Sequence, residues 1–320
     1  MLVRADGEDK LRVPIHTLGS IVCFGNVSAS PFLMGLCGEH NVALSFLTEN
    51  GRFLARVHGP VTGNVLLRRQ QYRFADCIDT SAKIARSIII AKIANSRNVL
   101  MRAVREGSIC GQTERAAKAI SFLAQSLDEL IPELSLDQVR GKEGEAANIY
   151  FDMFDHLITV NKKDFFFANR NRRPPTDNVN ALLSFLYTLL VHDVRSALEA
   201  VGLDPAVGYL HRDRPGRASL ALDIAEEFRA YLADRLALSL INRQQIKGSG
   251  FTKTESGAVA MEDTTRKAVL IAWQKRKQDE ITHPFINEKI HVGLLPHVQA
   301  MLLARYIRGD LDGYPPFLWK

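Results

Sequence analysis

Three separated stretches of this 320-residue chain hold side chains that could grip a hard cation. They are Glu143 in Arg140-Gly-Lys-Glu-Gly-Glu-Ala-Ala-Asn-Ile-Tyr150, His211 in Tyr209-Leu-His-Arg-Asp-Arg-Pro-Gly-Arg217, and Asp223 with Glu226 in Leu222-Asp-Ile-Ala-Glu-Glu-Phe-Arg229. One imidazole among several carboxylates makes an oxygen-rich donor set with a single nitrogen, which suits Mg2+ or Mn2+ better than structural zinc. On a helix Asp223 lies beside both Glu226 and Glu227, next to an apolar stripe of Leu220, Ile224, Phe228 and Leu232. Like charges beside a buried stripe are unfavourable unless a cation joins them.

Spacing alone leaves plainer readings open for each residue. Glu226 and Glu227 also read as a solvated face with Arg229 nearby. His211 reads as an exposed loop residue, and Glu143 and Glu145 as acidic residues favouring a helix N-terminus. His211-Arg212-Asp213 matches the start of a kinase catalytic loop, but neither the glycine-rich loop nor the following Asn is present. The chain also lacks GxxxxGK[ST] and a dinucleotide-type GxGxxG, so nothing indicates nucleotide hydrolysis or hydride transfer.

Cations surround these stretches. Lys162, Lys163, Arg170, Arg172 and Arg173 flank Phe165 to Phe167, whose rings read as core, and Arg212, Arg214, Arg217, Arg243 and Lys247 follow. Arg172, Arg173, Arg212, Arg217, Arg243 and Lys247 are candidate contacts to DNA phosphates. The 41 Lys and Arg against 35 Asp and Glu give a net charge of +6, a modest tilt toward a polyanionic partner.

The elements that must position these residues change character along the chain. From Leu11 to about Tyr72 short apolar runs alternate with breakers such as Gly25-Asn26 and Asn50-Gly51, predicting a small antiparallel β-domain over 1–74, with a short helix at Ser30 to His40. A linker is placed at 75–84. From 85 to 320 long 3.6-residue periodicities predict an all-helical domain, with helices at Thr80 to Arg105, Thr113 to Leu130, Gly144 to Leu157, Val179 to Val201, Ser219 to Ile241, Met261 to Lys277 and Leu295 to Arg308. The fold class is α+β, a small N-terminal β-domain followed by a larger all-helical catalytic domain.

Hydrophobic residues at 46% and charged residues at 24% describe an ordinary globular chain. The longest apolar run, Ala181 to Val191, is too short to cross a bilayer, and the N-terminus has no signal-peptide pattern, so the expected location is the cytoplasm, with no membrane partner. Cys23, Cys37, Cys77 and Cys110 form no CxxC pair and read as reduced thiols.

With these motifs in place, the chain resembles the CRISPR-associated spacer-acquisition integrase, the first and most widespread Cas protein. The resemblance is carried by Glu-Gly-x-Ala-Ala-x-x-Tyr from Glu143, Gly-Leu-Asp-Pro-x-x-Gly-Tyr-Leu-His ending at His211, and Ser-Leu-Ala-Leu-Asp-Ile-Ala-Glu-Glu-Phe-Arg from Ser219. It continues through Asn242 to Lys247, Arg266-Lys267, His283-Pro-Phe and Ala304 to Phe317, and the C-terminal half is similar to the type I-C branch. Members usually begin with one or two more strands before the stretch matching Leu11, which leads us to expect an N-terminal sheet short of strands at its start.

The resemblance implies a metal-dependent DNA endonuclease and integrase that inserts foreign fragments into a CRISPR array by attack of a 3′-hydroxyl on a phosphodiester. It implies Mg2+ or Mn2+ on Glu143, His211 and Glu226, with Asp223 a nearby carboxylate and the choice between Asp223 and Glu226 open. His211 would bind as a neutral imidazole, so activity should fall as protonation sets in. It further implies a homodimer and a small second Cas protein bridging two dimers. Two other functions remain from the residues themselves, a stand-alone structure-specific nuclease on branched DNA and a non-catalytic DNA-binding assembly subunit.

Overall fold

A computed structural model describes residues 1–40, 42–49, 53–57, 59, 64–109, 112–172 and 174–319. They fall into two units, Met1–Asn64 and Val65–Lys320. The first unit opens with a hairpin, β1 (Leu2–Ala5) and β2 (Glu8–Arg12). Its turn is Asp6-Gly7, both at positive φ (53° and 80°), the backbone a two-residue hairpin turn demands. The stretch around Leu11 is thus β2 itself, and one strand, β1, precedes it and pairs with it.

A second sheet has the order β3 (Ser20–Phe24), β4 (Ala43–Leu47), β5 (Phe53–Val57). β4 and β5 are antiparallel, but β3 and β4 are parallel, which corrects the wholly antiparallel expectation. Parallel neighbours need a crossover, and α1 (Pro31–Glu39) supplies it, with Ser30 accepting from Leu33 N at 3.2 Å and proline in the first turn. Cys37, Val42 and Leu44 form the core beneath α1, packed by Ile15, Leu18, Leu33 and Phe46.

The second unit starts earlier than the sequence suggested. α2 (Val65–Asp76) belongs to it, so the boundary lies at Asn64/Val65 and not at residue 74. The expected linker over 75–84 is a helical corner. α3 (Ile78–Arg105) follows after Cys77, and the hydroxyls of Thr80 and Ser81 donate to Phe74 O at 2.6 and 3.2 Å, satisfying carbonyls at the end of α2. α3 buries Ile84, Ile88, Ile89, Ile93 and Leu100 and packs against α4 (Thr113–Asp128), α5 (Leu136–Asp152) and α7 (Ser219–Phe228).

α5 begins well before the Gly144 expected, because Ser135 and Gln138 form a capping box. Glu143 is therefore in mid-helix and caps nothing. α6 (Asn178–Val201) is, by length and composition, long enough to cross a membrane, although its apolar run seemed too short in sequence; 67% of its apolar window is buried inside the protein, as for a core helix. The single helix expected from Ser219 to Ile241 is α7, a π-helical stretch at Arg229–Asp234, and α8 (Arg235–Asn242). α9 (Asp263–Lys277) and α10 (Leu295–Arg308) complete the helices, and two small hairpins, β6/β7 (Phe251–Lys253, Val259–Met261) and β8/β9 (Glu280–Thr282, Lys289–His291), interrupt a unit expected to be all helical.

Candidate functional site

The site is assembled around the first turns of α7. Gly202 ends α6 in the left-handed region (φ 93°), and the chain then crosses the start of α7 so closely that a Cβ on Gly208 would stand 2.7 Å from Ser219 Cβ and 2.9 Å from Asp223 Oδ2. This approach delivers the backbone of Tyr209, Leu210 and His211 to Asp223, which is fully buried. Asp223 Oδ2 accepts from Tyr209 N (2.6 Å) and Leu210 N (2.9 Å), and Oδ1 from His211 N (3.0 Å). Oδ1 also lies 2.6 Å from His211 Nδ1. With both oxygens occupied, Asp223 fixes the loop and the imidazole. A neutral His211 donating from Nδ1 to this carboxylate keeps its Nε2 lone pair available, the arrangement seen behind metal-bound histidines.

α5 holds the loop from the other side, since Arg140 Nε donates to Leu210 O at 2.8 Å. One turn further along α5 is Glu143, whose carboxylate contacts the ammonium of Lys92 from α3. The same ammonium is 2.8 Å from Glu226 Oε2, and Arg229 Nη1 is 2.9 Å from Glu226 Oε1. Burial alone would raise the Glu226 pKa, but Arg229, Lys92 and His211 outweigh it and hold the carboxyl at about 2. Burial would likewise strip the proton from Lys92, and Glu226 and Glu143 reverse that, so its pKa is raised. The π-helical turn widens the helix where Arg229 leaves it, with that guanidinium 4.8 Å above the Tyr187 ring and Asp234 between the hydroxyls of Tyr187 (2.7 Å) and Tyr150 (3.1 Å).

The four predicted residues thus form two pairs, His211 with Asp223 and Glu143 with Glu226 across Lys92. Among the described residues no three His, Cys, Asp or Glu side chains stand close enough to hold a metal as they are. The donor set nevertheless fits a hard cation. Glu143 and Glu226 already share one positive charge, and Glu226 Oε2, though close to Lys92, is a buried oxygen without a hydrogen bond in suitable geometry. Glu143 and His211 are 30% and 22% exposed, so the buried Glu226 forms the floor of a site open on one side.

The profile of the CRISPR associated protein Cas1 family matches residues 1–275. The CRISPR-associated endonuclease Cas1 1 of Chlorobaculum tepidum is 56% identical over 320 residues, covering 100% of this chain and 93% of that protein. The chain belongs to the Cas1 family. It is an enzyme of that family's nuclease and integrase class, acting in CRISPR spacer acquisition. The CRISPR-associated endonuclease Cas1 2 of Rhodospirillum rubrum is 51% identical over 328 residues, covering 100% of this chain and 93% of that protein. Among solved structures, a CAS1 protein from Thermotoga maritima has TM-score 0.79 at 22% identity, covering 100% of this chain and 94% of the other. A casposase bound to integration product has TM-score 0.80 at 24% identity, covering 94% and 82%. These two likenesses concern the fold.

The candidate DNA contacts of this Cas1 chain differ in exposure. Arg172, Arg212, Arg243 and Lys247 are exposed, Arg217 is half-buried, and Arg173 lies outside the described residues. Arg170 is structural, donating to Asn180 Oδ1 at 2.6 Å and stacking 5.2 Å from the Tyr187 ring. Phe165 and Phe167 are buried as expected, while Phe166 is exposed. Sequence reasoning missed Lys92, Arg229 and Arg140. A lone lysine inside Ile88-Ile-Ile-Ala-Lys-Ile93 is the one signal that could have revealed Lys92, since a charge in an apolar helix needs a buried partner. Glu227 is also buried and faces the other way. Tyr314 Oη donates to its Oε1 (2.6 Å), and Phe317 N and Gln299 Nε2 donate to its Oε2 (2.8 and 2.9 Å). Burial pushes its pKa up to about 7.

Proposed function

We propose that Glu143, His211 and Glu226 hold Mg2+ or Mn2+ and that Asp223 positions His211 without binding the metal itself. The observation that carries this is the occupancy of Asp223: both of its oxygens are taken by three backbone N–H groups and the imidazole, whereas Glu226 meets only the side-chain cations Lys92 and Arg229, and its buried Oε2 makes no hydrogen bond of suitable geometry. The bound metal would supply Lewis-acid stabilisation of charge on a phosphodiester and activation of the attacking hydroxyl.

This chain's own residues do the rest. Asp223 keeps the Nδ1 proton of His211 on the far side of the ring, so that Nε2 stays a lone-pair donor. Arg229 and Lys92 hold Glu226 ionised, and their charges favour the approach of a phosphate to a site lined with carboxylates. Exchange of one phosphodiester for another by a DNA 3′-hydroxyl needs no nucleotide energy source, in keeping with the missing phosphate loop. The substrates in this reading are a foreign DNA fragment and the CRISPR repeat. The chain works as a homodimer with the small Cas2 partner in the cytoplasm; solved structures of similar fold include a complex titled Cas6-RT-Cas1–Cas2.

The test is strand transfer of a 3′-hydroxyl duplex into a supercoiled repeat-bearing plasmid, with Mn2+ or Mg2+ and with or without the partner. Joined strands that disappear with EDTA are expected. Products that are only nicked would favour a hydrolytic nuclease, and DNA binding with no metal-dependent product would leave a non-catalytic subunit.

A further inference from the structure

A second cationic site lies further along α3. Where the C-terminal end of α3 meets α8 and the segment Leu157 to Thr159, there is a cavity of about 300 Å³, at the lower end of the range of ligand pockets. Arg102, Arg235 and Arg243 line it, with Glu106 the one acidic side chain and the hydroxyls of Thr159 and Ser239 on its wall. Arg102 is paired with Glu106 at 2.7 Å. Among the described residues neither Arg235 nor Arg243 forms an ion pair at salt-bridge distance, although the charge of Glu106 reaches Arg235.

Arg235 is held in place by aromatic rings and not by an ion pair. Its guanidinium sits 4.4 Å from the Trp319 ring and 5.5 Å from the Tyr231 ring, and those two rings are 5.2 Å apart. The backbone of Trp319 is pinned in turn, its amide N–H donating to Asn95 Oδ1 at 2.8 Å and its carbonyl accepting from Asn98. Stacking fixes the plane of the fork while leaving its N–H donors unspent. Partial burial, then Arg276 and Arg102, push the Arg235 pKa down to about 10 against the opposing pull of Tyr231 and Glu106, so it remains a cation at neutral pH with two further guanidinium groups near it. Such a cluster is stabilised by an anion.

We infer that this cavity binds a phosphate of a DNA strand, with Arg235 and Arg243 as its ligands and Trp319 as the residue that positions Arg235. The inference rests on the strand-transfer reading above. Lys92 at the proposed catalytic centre and Arg102 at the cavity are on one helix, about 15 Å apart along its axis at 1.5 Å per residue.

The test is fluorescence anisotropy of a labelled single-stranded oligonucleotide on the full chain across a salt series. Arg235→Gln and Arg243→Gln should each weaken binding several-fold and flatten the plot of log affinity against log salt by about 0.7, and the double variant by about twice that. Arg235→Lys should restore the slope. An unchanged slope in the folded double variant overturns the inference, as does a wild-type chain that binds no DNA. Should Arg235→Gln fail to fold, the exposed Arg243→Gln carries the same measurement. Inorganic phosphate is titrated separately with Trp319 fluorescence as readout in a Trp273→Phe background; a response to phosphate without an altered DNA slope would make this a small-anion site and overturn the claim for DNA. His211→Ala in parallel separates the two readings. Loss of strand transfer with an unaltered slope places the chemistry and the cavity apart, whereas retained strand transfer sinks the catalytic reading and leaves the cavity to its own slopes.

Discussion

Glu226 and Glu227 are consecutive, both buried at the end of α7, and differ in sequence context by one position, yet they sit in opposite electrostatic surroundings. Glu226 faces Lys92 and Arg229, two full cations, and is held ionised with a pKa of about 2. Glu227 faces Tyr314, Gln299 and the Phe317 amide, all neutral donors, and burial carries it to about 7. Dipolar donors satisfy a carboxylate but do not repay the loss of water as a cation does. Glu226 is thus kept as an anion that a metal could use, while Glu227 ties the C-terminal segment to α7.

The largest expected effect that would break this contrast comes from His211→Ala, which should lower metal-dependent strand transfer by more than about 10³-fold with an unchanged circular dichroism spectrum. Full activity in this variant would remove the imidazole from the site. Asp223→Asn should cost about 10- to 100-fold, as loss of a group behind a metal ligand does, read as turnover at saturating Mn2+. A wild-type rate would mean that Asp223 does not orient His211. Gly208→Ala drives a Cβ into Ser219 and Asp223 and should destabilise the protein by about 1–3 kcal/mol, seen as a lower Tm. No change in Tm would show that the loop yields without strain.

The smallest effect on chemistry belongs to Glu227→Gln, which should leave strand transfer within about threefold of wild type because the side chain faces away from the centre. Its signature is in stability. A carboxyl whose folded pKa is raised favours folding while protonated, below its unfolded value near 4.3, and that contribution is lost as pH rises through about 7. The variant should therefore gain stability over wild type by up to about 3 kcal/mol between pH 5 and pH 8, measured as the difference in thermal unfolding. Glu226, held low, works with the opposite sign, its contribution present above about 4.3 and lost as pH falls toward 2. A pH-independent difference between Glu227→Gln and wild type would contradict the contrast.

Much of the frame was legible in the residues. The periodicity ending at Arg308 gave α10 as Leu295–Arg308, and Ser30-Pro31 announced α1. The parallel pairing of β3 and β4 was hidden because alternation marks a strand without marking its neighbour's direction. The three motifs around Glu143, His211 and Glu226 were legible as chemistry, but the different surroundings of Asp223 and Glu226 were not, since both are acids on one helix. That division depends on Gly208 letting the loop come down on Asp223, and on Lys92 and Arg229 arriving from α3 and the widened turn. Spacing alone also kept open a solvated face for Glu226 and Glu227, whereas both are buried.

The most direct measurement is Mn2+ binding by calorimetry to wild type, Glu226→Gln, Asp223→Asn and Glu227→Gln at one pH. The account predicts that Glu226→Gln nearly abolishes binding, that Asp223→Asn weakens it by about 10- to 100-fold, and that Glu227→Gln binds as wild type does. Wild-type affinity in Glu226→Gln, or an equal loss in Glu227→Gln, would contradict it.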